Sequence, residues 1–485
     1  MKTRAILKLL SLLLLVLAGF MLVCSAAALR FHDGSEVLRA FLIPAAGCFL
    51  VFGLVFGLTP GKERPYFSAK SGYLFVSLAW VAASAVGALP FVLSGAIPSY
   101  TDAFFETMSG FTTTGASVLA DVEAAPRAIL LWRSTTHWLG GMGIVVLTVA
   151  IFPLLGLGGL QLVEAEAPGP SVDKITPRMA GTAKILWLIY VLLTAAEILL
   201  LLLGGMGLFD AVNHTFATVA TGGFSTKNLS VGHFASPYID IVVTVFMVLA
   251  GMNFALFYKA GTGKLREALR DTELRAYLGV FLAASLLIAL DLSKNGVFPA
   301  FGTAFRHGAF QSASILTTTG FATANFDLWP PFSRVVLLLL MFIGGSAGST
   351  AGGIKVVRYL VLMKQSAVEL KSLVFPRGVF SVRLNGEPVR KMLVFDTASF
   401  FFMYFVTILA CTLVVASAGQ GVETALTATL ATLGNIGPGL ALVGPVANYG
   451  FLPDYVTWTL SFAMLVGRLE LYTVFVLFSS AYRRS

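Results

Sequence analysis

The sequence predicts an all-α membrane protein. Four pseudo-repeated units of span, re-entrant helix, glycine-bearing loop and span surround one central axis, preceded by two extra transmembrane helices. Three observations carry this prediction: ten apolar windows long enough to cross a bilayer, four shorter semi-polar segments between paired windows, and related glycine-containing sequences at the ends of those four segments. The composition agrees. Of 485 residues, 57% are hydrophobic and only 12% charged, against about 25% charged in an ordinary soluble domain. A disordered chain is excluded by the same figures. The net charge of +9 suits membrane orientation better than a phosphate-binding face in so apolar a chain, so no nucleic-acid partner is expected. Cys24, Cys48 and Cys411 lie singly in apolar runs and read as small buried hydrophobes.

A spanning helix needs about 20 mostly apolar residues. The windows lie near 5–28, 39–58, 72–93, 128–155, 183–204, 236–258, 276–293, 333–354, 394–417 and 454–478. The first also resembles a cleavable signal sequence, ending at Cys24-Ser25-Ala26-Ala27-Ala28. Its apolar run is long for a signal core, and we read it as a retained span. The semi-polar segments near 101–113, 209–221, 300–318 and 421–435 are too short to cross, and at membrane depth they survive only as re-entrant helices packed in protein or facing water.

Orientation follows from Lys and Arg. With both termini cytoplasmic, the inner segments hold 24 of the 33 basic residues and 10 of the 24 acidic ones. The inner face then carries +14 and the outer face −4, which satisfies the positive-inside rule. Every re-entrant segment opens to the negative outer face, where cations concentrate.

The four polar segments end in Phe111-Thr112-Thr113-Thr114-Gly115, Ala220-Thr221-Gly222-Gly223, Thr317-Thr318-Thr319-Gly320 and Leu433-Gly434-Asn435-Ile436-Gly437. The aligned glycines 115, 223, 320 and 437 stand 108, 97 and 117 residues apart. The expected boundaries are 1–65 for the two N-terminal helices, then 66–165, 166–262, 263–375 and 376–485 for the four repeats. These residue types suit a dehydrated monovalent cation, which needs a ring of oxygen dipoles in place of its water shell. Glycine permits the positive φ that turns carbonyls inward, and a helix ending at the loop aims partial negative charge at the ion. Four copies around one pore would enclose it.

On these motifs the chain resembles the Trk/Ktr/HKT superfamily of potassium transporters, particularly its TrkH (TrkG) branch, along nearly its whole length and including the two extra N-terminal helices. The resemblance implies a K⁺ selectivity filter formed by Thr113, Thr114 and Gly115, by Thr221, Gly222 and Gly223, by Thr318, Thr319 and Gly320, and by Asn435, Ile436 and Gly437. Sodium-passing members often carry serine at the first aligned glycine; Gly115 here implies potassium. It further implies a homodimer in a bacterial inner membrane, regulated by a cytosolic nucleotide-binding RCK-type subunit resembling TrkA. The basic segment 355–391 is its expected docking surface, with a short hairpin strand near Val379–Leu384. The transported ion is K⁺, and no organic cofactor is expected in this chain.

The third repeat's second span carries Gly344, Gly345, Ser346, Ala347, Gly348, Ser349, Thr350, Ala351, Gly352 and Gly353, followed by Ile354 and Lys355. Glycine costs about 1 kcal/mol against alanine in a helix, so five in ten residues predict an intramembrane loop rather than a close-packed helix face. The resemblance makes that loop a gate, with Lys355 at its inner end. Arg468, mid-span beside Glu470, faces a cavity by the general behaviour of intramembrane charge, and the resemblance places it in the pore below the filter. Glu197, His137 and His214 receive no role. The alternative within transport is a symporter coupled to H⁺ or Na⁺. An enzyme would need convergent catalytic groups, which five scattered histidines without HExxH or GxSxG do not provide.

Overall fold

The computed structural model describes residues 2–58, 69–143, 179–480 and 482. Two long helices, Lys2–Phe31 and Ser35–Leu58, pair as an antiparallel hairpin, and both pack against the first repeat. Each repeat then has an outer helix, a short re-entrant helix and an inner helix. The outer helices are Ala69–Gly87, Met179–Leu203, Thr272–Lys294 and Lys391–Ala416. The re-entrant helices are Tyr100–Phe111, Leu208–Val219, Phe301–Leu316 and Val422–Leu433. All four begin and end within two residues of the expected segments, and they are buried over most of their length. The first is capped by Ser99, whose Oγ accepts the Asp102 N–H at 3.3 Å.

The inner helices differ most from the sequence reading. Arg127–Gly141 is followed by Gly143 at φ +72°, and the rest of the expected span 128–155 lies outside the described residues. Pro237–Ala250 and Phe254–Gly261 meet at 95° across Gly251-Met252-Asn253, where Asn253 Oδ1 caps the second helix at Ala255 N, 2.8 Å. Pro331–Leu340 stops at the glycine-rich stretch, and a separate 19-residue helix runs over Val356–Val374. Asp454–Arg468 bends by 110° into Tyr472–Phe478 through Glu470 and Leu471, both at positive φ. Continuous apolar windows therefore hide broken helices, and about half of the basic segment 355–391 is helix, Val356–Val374. Its hairpin is shorter than expected: Arg383–Leu384 pairs with Glu387–Pro388 around Asn385-Gly386. Both turn residues have positive φ, as a two-residue hairpin turn requires.

Candidate functional site

The four re-entrant helices end in the same way. Thr113, Thr221, Thr318 and Asn435 each occupy the left-handed region, at φ +53°, +56°, +57° and +54°. The following amide reaches back to the residue five earlier: Thr114 N to Ser109 O, Gly222 N to Ala217 O, Thr319 N to Ser314 O, and Ile436 N to Ala431 O, at 2.7–2.8 Å. The left-handed residue's own N–H bonds three back, to Gly110, Thr218, Ile315 and Thr432. This is a Schellman ending with threonine or asparagine where glycine is usual. Left-handed backbone costs such residues roughly 1–2 kcal/mol, so four equivalent cases signal a conformation imposed for use.

Two residues on, Gly115, Gly223, Gly320 and Gly437 have φ of +82°, +81°, +85° and +97°. A Cβ on Gly115 would fall on Gly222 O, on Gly223 against Thr319 O, on Gly320 against Ile436 O, and on Gly437 against Thr114 O. The carbonyls of the four middle residues thus abut the glycine of the preceding repeat in cyclic order, and the ring closes. All four glycines line one cavity of about 130 Å³. A second tier of links joins the same neighbours: Arg133 to Ser225 O, 3.0 Å; Gly232 N to Ala322 O, 3.1 Å; Ala441 N to Asp327 Oδ1, 3.1 Å; and Tyr449 N to Ser117 O, 2.8 Å. The structure brings together all twelve residues expected at the loops. It also treats the divergent fourth sequence, Asn435-Ile436-Gly437, as the conformational equal of the Thr-containing ones.

The mouth beside the ring glycines is charged but largely paired. Arg133 meets Glu106, Lys227 meets Asp210, Arg306 meets Asp240, and Arg334 meets both Asp327 and Glu423. At the rim, the Asn228 amide holds the Asp121 carboxyl below its ordinary range, and the backbone N–H groups of Ala124 and Glu123 assist. Asp121 therefore keeps its negative charge into more acidic solution than a free carboxylate would.

The glycine-rich segment lies against the side of this ring away from the mouth cavity and touches the repeats around it. Gly352 N donates to Thr318 Oγ1 at 2.7 Å, and Gly352 abuts Gly434 and Asn435. Thr350 Oγ1 donates to Val219 O and Ala250 O at 3.0 and 3.1 Å, and Ser346 N donates to Gly251 O at 2.9 Å. Arg468 supplies the contact with the first repeat. Its Nη1 donates to Thr350 O at 2.7 Å and to Thr113 Oγ1 at 3.0 Å, while Nη2 donates to Gly140 O and Gly141 O at 2.8 and 3.1 Å. Lys355 Nζ donates to Ala351 O, closing the inner end. Glu273 Oε1 accepts both Ala347 N and Val357 N, at 2.8 and 3.0 Å, and so clamps the loop at two points.

Glu470 does not pair with Arg468. The helix ends between them, and Glu470 accepts from Arg358, whose guanidinium lies 3.8 Å from the Phe400 ring centroid. The two histidines left without a role both touch the ring. His137 Nδ1 bonds Gly110 O at 2.8 Å, and its ring occupies the space a Cβ on Gly222 would need. His214 sits beneath Ser225, with Nε2 to Oγ at 2.9 Å. The aligned register could have found His214, which stands nine residues before its glycine, as Glu106 does in the first repeat. Glu197 is fully buried, and neither carboxylate oxygen has a hydrogen-bond partner among the described residues.

A family model described as "TrkH: Cation transport protein" matches residues 48–483. The chain is 41% identical to the Trk system potassium uptake protein TrkH of Salmonella typhimurium and to that of Escherichia coli K12, covering all of both partners in each case. The crystal structure of the potassium transporter TrkH from Vibrio parahaemolyticus superposes with a TM-score of 0.88 at 37% identity, covering 99% of this chain and 100% of the other.

Proposed function

The chain belongs to the TrkH family of cation transport proteins, and from that premise we propose that it is the pore-forming subunit of a Trk-type potassium uptake system. The observation that carries this reading is the closed ring of four loops. Thr114, Gly222, Thr319 and Ile436 bring their carbonyls to neighbouring repeats in cyclic order, as a coordination cage for a bare monovalent cation requires. Four re-entrant helices end at that cage, so their carboxyl ends add partial negative charge where the cation sits. K⁺ sheds its hydration shell at the mouth, exchanges water oxygens for carbonyls, and leaves inward only when the glycine-rich loop moves.

Potassium is cargo in this scheme, and the chain needs no organic cofactor. The remaining parts of the proposal rest on family likeness and on charge: a multi-pass inner-membrane protein with cytoplasmic termini, working as a homodimer, and gated by a nucleotide-binding RCK-type partner on the basic helix Val356–Val374 and its hairpin. Purified chain in liposomes tests pore against coupled carrier. A pore gives a current that reverses with the K⁺ gradient alone at equal pH and equal Na⁺. A reversal that follows the proton or sodium gradient instead establishes the symporter, for which Glu197 is the candidate coupling site.

The clamp on the loop gives a smaller, independent expectation. Glu273→Ala takes the acceptor from two loop N–H groups in part-buried bonds, where water can replace it, at a net cost of about 1 kcal/mol. Basal K⁺ leak through partner-free protein should rise severalfold. Glu273→Gln retains an acceptor oxygen at the same place and should leak like the parent; equal leak from both variants would remove the clamp from the account.

A further inference from the structure

Nine positions before each ring glycine the four re-entrant helices carry Glu106, His214, Gln311 and Ala428. The first three hold the outgoing strand of their own loop. Glu106 accepts Ser117 Oγ at 3.0 Å through Oε1 and Val118 N at 2.9 Å through Oε2. His214 Nδ1 faces the Asp210 carbonyl at 2.8 Å and donates to it, so Nε2 accepts the Ser225 hydroxyl. Gln311 Nε2 donates to Phe321 O at 3.4 Å. In the fourth repeat the neighbouring Thr427 takes over: Leu440 N donates to its hydroxyl at 3.0 Å.

The first brace differs from the others in kind. Arg133 Nε donates to Glu106 Oε1 at 2.5 Å, and the pair is almost completely buried, at 4% and 0% side-chain exposure. Arg133 also leaves its own repeat. Its Nη1 donates to Ser225 O at 3.0 Å, and its guanidinium stacks 3.6 Å from the Phe224 ring centroid. One rigid ion pair therefore holds Ser117 and Val118 of the first loop and Ser225 of the second. These residues stand two or three positions beyond Gly115 and Gly223, at the mouth cavity that Arg133 itself lines. A planar guanidinium fixed by carboxylate, carbonyl and ring cannot slide as a lone hydroxyl can.

We propose that Glu106 and Arg133 form a positioning pair that fixes the spacing of the first two loop strands and thereby sets the discrimination between K⁺ and Na⁺. The proposal rests on reading the four loops as the selectivity filter. A cage tuned to the larger ion must not contract around the smaller one, and the buried pair is the spacer between repeats one and two. The pair takes no part in binding the ion and acts through the strands it holds.

The test uses the full chain reconstituted in liposomes, with permeabilities for K⁺ and Na⁺ measured in the same vesicles. The parent protein comes first, because failure of the parent to discriminate sinks the filter reading itself. In a discriminating parent, Glu106→Gln combined with Arg133→Met removes both buried charges together, which a fold tolerates better than leaving one unpaired. Its K⁺/Na⁺ permeability ratio should fall tenfold or more while K⁺ flux persists. Ser117→Ala keeps the ion pair, removes one strand contact, and should lower the ratio by about twofold. Should the double variant not be recovered folded, Ser117→Ala decides alone. An unchanged ratio in folded, conducting protein, with only the melting temperature reduced, overturns the proposal and leaves the pair a structural ion pair.

Discussion

Replacing Arg468 with alanine is expected to raise K⁺ flux through partner-free protein by tenfold or more. Arg468 does two things in the closed arrangement. Its guanidinium ties the loop, at Thr350 O, to the first repeat, at Thr113 Oγ1, Gly140 O and Gly141 O. Hydrogen bonds from a charged donor contribute about 1.5–3 kcal/mol each. Losing the one to Thr350 alone would shift the open-to-closed ratio by roughly tenfold to a hundredfold, at 1.4 kcal/mol per factor of ten. The same guanidinium is a fixed positive charge on the inner side of the ring. At about 4 Å and an effective dielectric of about 20, it opposes a passing cation by about 4 kcal/mol. Both effects have the same sign, so the alanine variant should leak. Arg468→Lys keeps the charge but loses the fork that joins the first repeat to the third, and should fall between parent and alanine. Radioactive Rb⁺ uptake into vesicles measures all three. Unchanged or lower uptake in correctly folded Arg468→Ala would remove both the tether and the barrier.

The second large effect is on selectivity. Gly115→Ser should bring the K⁺/Na⁺ permeability ratio down by at least tenfold, toward indifference. Two costs act at once. Serine at φ +82° is in the left-handed region, a penalty of about 1–2 kcal/mol. Its Cβ also falls on the Gly222 carbonyl oxygen, which must swing aside and so opens the ring between the first two repeats. Gly95 separates these causes. It has φ +74° and nothing within 4 Å of its would-be Cβ, so Gly95→Ser carries the backbone penalty without the clash. It should cost a little stability and leave the ratio intact. A ratio preserved in Gly115→Ser would show that the Gly222 carbonyl contributes nothing to ion choice.

Much of this was legible because the polar segments are exceptions to an apolar rule. A 12-residue stretch such as Val422–Leu433 is too short to span and too apolar to sit in water. Its place at membrane depth follows from those two facts together. The ring glycines were legible from spacing, and the loop at 344–353 from glycine density. The breaks in the second and fourth inner helices were not. Gly251 and Asn253 interrupt an apolar window that remains apolar enough for a span as a whole, and the bend is held by contacts from far away in sequence, such as Phe254 N to Gly348 O. At Glu470 and Leu471 two non-glycine residues take positive φ, which no propensity would suggest; the Glu470–Arg358 ion pair and the buried Leu471 side chain hold them there.

In the basic segment 355–391 the charges are legible as a topology signal, and the helix over Val356–Val374 shows in the burial of Val356, Val357, Arg358 and Val361. Arg468 turns to the loops, as expected, and its neighbour Glu470 is out of its reach for a geometric reason. Residues two apart on a helix do not face each other, and here the helix ends between them. Glu106 and His214 were overlooked because a titratable residue in a polar segment is unremarkable alone. Only their common register, nine before the glycine, singles them out.

The central claim is that the four-loop ring is the ion's binding site. The direct measurement is anomalous X-ray scattering from crystals of this chain grown with Rb⁺ replacing K⁺. Rb⁺ peaks are expected on the axis enclosed by the carbonyls of Thr114, Gly222, Thr319 and Ile436, lost or displaced in Gly115→Ser. Rb⁺ density absent from that axis and present elsewhere, beside Glu197 for example, would contradict it and point to a coupled carrier.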